Sequence, residues 1–149
     1  MRCELTTSQE MFDLGRRFGA ALVAGDLILM TGELGAGKTT FTQGVADGLG
    51  IMRPLTSPTF VTVKSYALSR GGEFYHVDLY RVHDPDYLQD QGILEELDRG
   101  AIAVVEWAEH GRPLDEYERL AITISVEPGW RTMEFEGTPD WQERLRWLL

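Results

Sequence analysis

Residues 27–39 decide the fold, and they read Leu27-Ile28-Leu29-Met30-Thr31-Gly32-Glu33-Leu34-Gly35-Ala36-Gly37-Lys38-Thr39. The apolar run at 27–30 is typical of a strand buried on both faces. The eight residues from Gly32 match G-x-x-x-x-G-K-[ST] in full, and helical spacing of apolar residues follows from Lys38. Because the loop stands between a strand and a helix, we interpret it as a phosphate-binding Walker A loop rather than a plain glycine-rich turn.

Each part of this loop has a chemical purpose. Glycines let backbone N–H groups turn toward phosphate oxygens, and the helix that begins near Lys38 presents its positive end to them. Lys38 would reach the β and γ phosphates of ATP, and the Thr39 hydroxyl would ligate Mg²⁺. Lys38 and Lys64 are the only lysines of the chain. The predicted nucleotide contacts are Glu33, Leu34, Gly35, Ala36, Gly37, Lys38, Thr39 and Thr40.

A Walker A loop needs a carboxylate across the site to hold the metal, normally at the carboxyl end of a buried parallel strand. Glu106 fits best because it follows the fully apolar run at 101–105. Asp78 is the alternative, although the run before it is less apolar and is predicted to belong to a hairpin. We predict Thr39 and Glu106 as metal ligands, and Asp78 as a group that faces the γ-phosphate.

Three further features have weaker sequence support. Thr59, in Ser-Pro-Thr at 57–59, lies where P-loop proteins place a hydroxyl that senses the γ-phosphate, and a plain loop is equally consistent. Trp107 fits either core packing or a surface role in partner docking or gating. The three histidines, His76, His83 and His110, have no sequence partner that would make them catalytic, so satisfied or exposed side chains are the favoured interpretation.

The remaining pattern predicts an α/β fold, a P-loop NTPase-like three-layer sandwich. A capping box at 7–10 begins an amphipathic helix that carries Met11, Leu14, Phe18, Ala21 and Leu22 on one face. The β-rich runs at 60–66 and 73–79 flank a turn at 70–72, which predicts an antiparallel hairpin within a mixed sheet. Helical segments are expected at 86–98 and 140–149, with strands at 120–126 and 131–136. At 149 residues the chain is expected to form a single domain, 1–149.

Composition narrows the function. A net charge of −10 disfavours direct binding to nucleic acid, so any RNA would be held through a partner. There is no apolar run long enough for a membrane span and no secretory signal, and we expect a cytoplasmic protein. Cys3, the single cysteine, is expected in a strand, and the sequence offers no cluster of metal-binding residues.

Several motifs together resemble the TsaE (YjeE) family of bacterial ATPases. They are Gly-Glu-Leu-Gly-Ala-Gly-Lys-Thr-Thr at 32–40, Ser-Pro-Thr-Phe at 57–60, His-Val-Asp-Leu-Tyr-Arg at 76–81, Gly-Ile-Leu-Glu-Glu at 92–96 and Val-Glu-Trp at 105–107. A Walker A loop is common to many enzymes, whereas the ordered set is specific to this family. Arg112-Pro113-Leu114 departs from the family's Leu-Pro after the Glu-Trp segment, at no proposed ligand.

The resemblance implies slow, magnesium-dependent ATP hydrolysis and assembly with the partner proteins TsaB and TsaD. Together they would support the threonylcarbamoyl modification of adenosine 37 in tRNAs that read codons beginning with A. The family's functional positions fall on Lys38, Thr39, Asp78 and Glu106, and its switch-like threonine falls on Thr59. Arg131 aligns loosely with a family arginine near the nucleotide.

Three other functions compete with this interpretation. A small-molecule kinase would use the same loop, but it usually needs a basic lid, and the segment before Glu106 has only scattered basic residues. A GTPase is disfavoured more strongly than a kinase, because the chain has no asparagine for the usual guanine-reading Asn-Lys-x-Asp element. A nucleotide-gated binding module differs from a slow ATPase only in degree.

Overall fold

The computed structural model describes residues 1–52, 55 and 62–149. Thr59 and the first two residues of the predicted strand at 60–66 therefore lie outside the described residues. The strands are β1 (Arg2–Leu5), β2 (Leu27–Gly32), β3 (Val63–Ala67), β4 (Glu73–Asp78), β5 (Ile102–Glu106), β6 (Leu120–Glu127) and β7 (Trp130–Gly137). The helices are α1 (Ser8–Ala21), α2 (Lys38–Gly48), α3 (Tyr87–Asp90), α4 (Ile93–Asp98) and α5 (Pro139–Leu148), with a 3-10 turn at Ala108–His110.

The strands form one mixed sheet in the order β1-β7-β6-β2-β5-β4-β3. Strands β4, β5, β2 and β6 run parallel, whereas β3, β7 and β1 pair antiparallel with their neighbours. The predicted hairpin is β3–β4, and its second strand also pairs in parallel with β5. The mixed α/β sheet with a hairpin is thus confirmed, and the carboxyl ends of β2, β4 and β5 meet at one edge.

Helices cover both faces of this sheet. Helices α1, α2 and α5 pack against one face of the sheet and form the larger apolar core with it. Their buried residues include Phe18, Phe41 and Trp141. Residues of α3 and α4 pack against the opposite face of β2, β4 and β5 in the smaller core. Within the described part of the chain, no helix combines the length and apolar character needed to cross a membrane.

The structure corrects two local predictions and completes a third. The expected helical segment at 86–98 is two short helices, because Gly92 adopts a left-handed conformation with φ of 73° between them. Cys3 lies half-buried in β1, which confirms the prediction that it is a strand residue, but the bounds of this strand are not predictable because four residues are too few for a clear alternating pattern. Ala21, the last residue of α1, is exposed, whereas Met11, Leu14, Phe18 and Leu22 are buried as predicted.

Close backbone contact between α1 and α2 fixes the helix that follows the glycine loop. A Cβ atom added at Gly15 or Gly19 would lie 2.2 Å from the Phe41 carbonyl oxygen or 2.1 Å from that of Val45. On α2, Gly44 and Gly48 make equally close contacts with the backbone of α1. Such distances leave no space for a methyl group, so these glycines set the spacing between the two helices.

We expect Gly19→Ala to lower the free energy of unfolding by about 2 kcal/mol or more, because the methyl group would force the helices apart. The gain in helix propensity, about 1 kcal/mol, opposes but does not offset this. Urea unfolding followed by circular dichroism would measure the change. Ala20→Ser, at the exposed neighbouring position, is the control and should change stability by less than about 0.5 kcal/mol. An unchanged Gly19→Ala protein would contradict the packing argument.

Candidate phosphate and metal site

The glycine loop joins β2 to α2 and borders a cavity of about 490 Å³. Gly35 and Gly37 have φ angles of 78° and 115°, which residues with a Cβ rarely adopt. Gly37 is also the N-cap residue of α2 and provides no side chain to cap the helix. The amino end of α2 therefore keeps free N–H groups and a partial positive charge at the cavity, the arrangement that binds anions.

Lys38, the first residue of α2, is 4% exposed and folds back over the loop. Its Nζ donates hydrogen bonds to the carbonyl oxygens of Gly32 and Glu33 and lies 4.0 Å from the ring centroid of Trp107. Burial lowers the pKa of Lys38, and the negative charges of Glu106, Glu109, Asp78 and Glu33 act in the opposite direction. A phosphate group in the cavity would add a further stabilising counter-charge.

The Glu106 carboxylate, at the end of β5, is 2% exposed and has a partner at each oxygen. The Thr39 hydroxyl donates to Oε1 at 2.9 Å, and His76 Nε2 contacts Oε2. Parallel pairing of β5 with β2 and β4 sets Glu106 level with Met30 and Asp78. The strand therefore delivers this carboxylate to the amino end of α2.

Asp78, at the end of β4, lies beside Glu106 on the rim of the same cavity. Burial raises the pKa of its carboxyl, and the Glu106 charge acts in the same direction. The Tyr80 backbone N–H donates to Asp78 Oδ1 at 2.9 Å and opposes that shift, as do His76 and Lys38. Two carboxylates and one ammonium group thus share the site, which makes it sensitive to added cations and anions.

Aromatic side chains form the wall of the cavity that faces the loop. Trp107 is the only residue other than glycine with a positive φ among the described residues, at 57°. Its ring lies 4.8 Å from that of Tyr80 and 5.5 Å from that of His110, whose Nδ1 is 2.8 Å from the Leu79 carbonyl oxygen. Trp107 packs against the smaller core, as the first of its two sequence interpretations expects, and it also lines the cavity, while a role in partner docking or gating stays a prediction.

The cavity gathers many of the residues singled out in the sequence. Those that line it are Leu34, Gly35, Ala36, Gly37, Lys38, Thr39, Thr40, Asp78 and Glu106. Glu33 meets the site through its carbonyl oxygen, which accepts from Lys38. Arg131 does not line this cavity. It lines a second cavity, of about 190 Å³, which shares Gly35, Ala36, Gly37 and Thr40 with the first.

Sequence reasoning missed three residues of the cavity and one behind it. Thr62, Tyr80 and Arg81 line the cavity, and His76 contacts Glu106 from the core. A signal for His76 was available, because it stands two residues before Asp78 in a strand and so lies on the same face of the sheet. Its contact with Glu106 depends on the pairing of β4 with β5, which the sequence does not reveal.

The donor set suits Mg²⁺. The Thr39 hydroxyl and the Glu106 carboxylate bring two oxygen atoms within 2.9 Å of each other, and hard oxygen donors are those that Mg²⁺ prefers. No three His, Cys, Asp or Glu side chains form a metal-binding group within residues 1–52, 55 and 62–149. An ion held by one or two protein ligands, phosphate oxygens and water does not need such a group.

This sheet, with its glycine loop at the carboxyl edge, defines a P-loop NTPase-like α/β protein. The chain belongs to the TsaE family: the family model for threonylcarbamoyl adenosine biosynthesis protein TsaE matches residues 5–133. The chain is 46% identical over 101 residues to a Streptomyces coelicolor tRNA threonylcarbamoyladenosine biosynthesis protein TsaE, covering 66% of this chain and 68% of the relative.

Two other comparisons extend the match along the chain. The TsaE protein of Haemophilus influenzae is 32% identical over 129 residues, which cover 83% of this chain and 81% of that protein. The crystal structure of YdiB from Bacillus subtilis superposes with a TM-score of 0.76 and 31% sequence identity. The match covers 99% of this chain and 93% of the YdiB chain. The resemblance read from the motifs is therefore confirmed, and the fold is shared over almost the whole chain.

Proposed function

We propose that residues 1–149 act as one magnesium-dependent ATPase domain that serves tRNA threonylcarbamoyladenosine synthesis. The observation that carries the proposal is the convergence of Lys38, Thr39 and Glu106 at the glycine loop. Family membership supports the place in tRNA modification, because the matching family and relatives are named for that pathway. As the motifs imply, the protein would hydrolyse ATP slowly and assemble with TsaB and TsaD.

Each residue of the site has a proposed role in ATP hydrolysis that follows from its position. Loop amides and the amino end of α2 bind the phosphates, and Lys38 leaves the Gly32 and Glu33 carbonyls to meet the β and γ oxygens. Thr39 and Glu106 would hold Mg²⁺, which offsets charge on the phosphates when bound. Asp78 would orient the attacking water, and burial raises the pKa of its carboxyl. Thr59 is proposed as the γ-phosphate sensor.

We propose that the second cavity binds the adenosine part of ATP. It joins the first at the glycine loop and is bounded by Thr6, Thr7, Trp130 and Arg131. Hydroxyl groups can pair with the edge of a base, and an indole or guanidinium plane can stack on its face. This division accounts for Arg131, which lies away from the carboxylates.

Lys38→Ala and Glu106→Ala should each abolish magnesium-dependent ATP hydrolysis. We expect losses of at least about 100-fold in kcat, because a charged group at the phosphates is removed in one variant and the metal carboxylate in the other. A phosphate-release assay across a Mg²⁺ titration would measure them. Lys64→Ala, the other lysine, is the control and should hydrolyse ATP normally. Activity retained by either site variant would remove that residue from the mechanism.

Trp130→Ala should weaken ATP binding about tenfold, because a stacked base contributes about 1–3 kcal/mol. Binding of inorganic tripolyphosphate should not change, since that ligand has no base. Calorimetry with both ligands would separate the two cavities. Trp147→Ala, at an 87% exposed position of α5, is the matched control. An equal loss of affinity for ATP and for tripolyphosphate would show that the base does not bind in the second cavity.

The effect of TsaB and TsaD on ATP hydrolysis tests the proposed role of this protein in tRNA modification. We expect ATP hydrolysis by the purified protein to rise when TsaB and TsaD are added, and Lys38→Ala to remove that rise. Small-molecule phosphate acceptors should remain unmodified in the same assay. Indifference to TsaB and TsaD, with phosphate appearing on an acceptor, would instead favour a small-molecule kinase.

A further inference from the structure

His76 is a polar residue in an apolar row of the sheet. It is fully buried in β4, on the same face as Phe74, two residues before it. In the paired strand β5, Ile102 and Val104 occupy the same apolar core, and Val104 is its register partner. An apolar side chain at this position would suit the core better than an imidazole.

Packing of the apolar core therefore does not explain this histidine. His76 Nδ1 is buried and has no hydrogen-bond partner among the described residues. A buried nitrogen without a partner is destabilising, so the imidazole must be retained for what its other nitrogen does. That nitrogen, Nε2, contacts Oε2 of Glu106.

The contact holds the carboxylate from the side of the core. His76 does not line the 490 Å³ cavity, whereas Thr39 and Glu106 both do. Because a carboxylate accepts hydrogen bonds, Nε2–H donates to Oε2, and Thr39 donates to Oε1. With Oε2 held behind it, the carboxylate cannot rotate freely, and Oε1 stays beside the Thr39 hydroxyl at the cavity.

We propose that His76 is a positioning residue for the metal site, which fixes the Glu106 carboxylate so that Oε1 and the Thr39 hydroxyl together receive a divalent cation. The proposal rests on the proposed function, because it concerns the same cation. Mutation of a residue that hydrogen-bonds to a metal ligand commonly lowers metal affinity by about 10-fold to 100-fold, and this range sets the size of the expected effect.

The test uses Mn²⁺ as the probe, detected by electron paramagnetic resonance with a non-hydrolysable ATP analogue. His76→Leu removes the donor and fills the space, whereas His76→Gln retains an N–H donor. We expect the leucine variant to raise the Kd for Mn²⁺ at least about tenfold and the glutamine variant to stay within about threefold of the unsubstituted protein. His83→Leu, at an exposed position, is the control.

Two further measurements separate positioning from folding. The thermal unfolding of the leucine variant should remain a single cooperative transition, which shows that it is folded, although its midpoint is expected to fall because Oε2 of the buried Glu106 carboxylate loses its donor. Binding of the analogue in EDTA should be unchanged, because the phosphate-binding amides are untouched. Unchanged Mn²⁺ affinity in the folded leucine variant, or equal losses with and without metal, would overturn the proposal.

If the leucine variant does not fold, His76→Asn and His76→Gln decide the question. The shorter asparagine amide should not reach Oε2, so only the glutamine variant is expected to bind Mn²⁺ tightly, and equal affinities would overturn the positioning role. An unsubstituted protein that binds no Mn²⁺ with the analogue would refute the proposed function itself. Normal binding there, with no effect at His76, would refute only this inference.

Discussion

The site depends on the contacts that the buried Glu106 carboxylate makes with Thr39 and His76. A carboxylate removed from water needs partners at its oxygens, and here they come from two separate parts of the fold, Thr39 at the start of α2 and His76 in β4. The requirement ties the glycine loop, β5 and β4 together at one edge of the sheet. Any change in the pairing of these strands would leave a buried charge without partners.

The helices outside the sheet serve the same placement. Glycines on α1 and α2 bring the two backbones into contact, which fixes the direction of α2 and with it the N–H groups at its amino end. Within the loop, Lys38 is held by carbonyl oxygens of the loop itself rather than by a carboxylate. An ammonium group held in this way can exchange neutral partners for phosphate oxygens without breaking a buried ion pair.

Local chemistry made the central part of the fold readable from the sequence. The Walker A pattern depends on backbone conformations that only glycine adopts easily, so Gly35 and Gly37 mark the turn whatever surrounds it. The short apolar runs before Gly32 and Glu106 marked β2 and β5 because both faces of those strands are buried. Weak patterns were not readable in this way, because the four residues of β1 and the break at Gly92 depend on neighbouring elements.

The sequence by itself determined the family, the glycine loop and the candidate ligands Lys38, Thr39, Asp78 and Glu106, since each follows from residue type and spacing along the chain. Only the tertiary structure decided which side chains meet. His76 reaches Glu106, and Trp107 covers Lys38, because parallel strands distant in sequence pair in a particular register. Strand register is set by the packing of both sheet faces together, and no local stretch of residues contains that information.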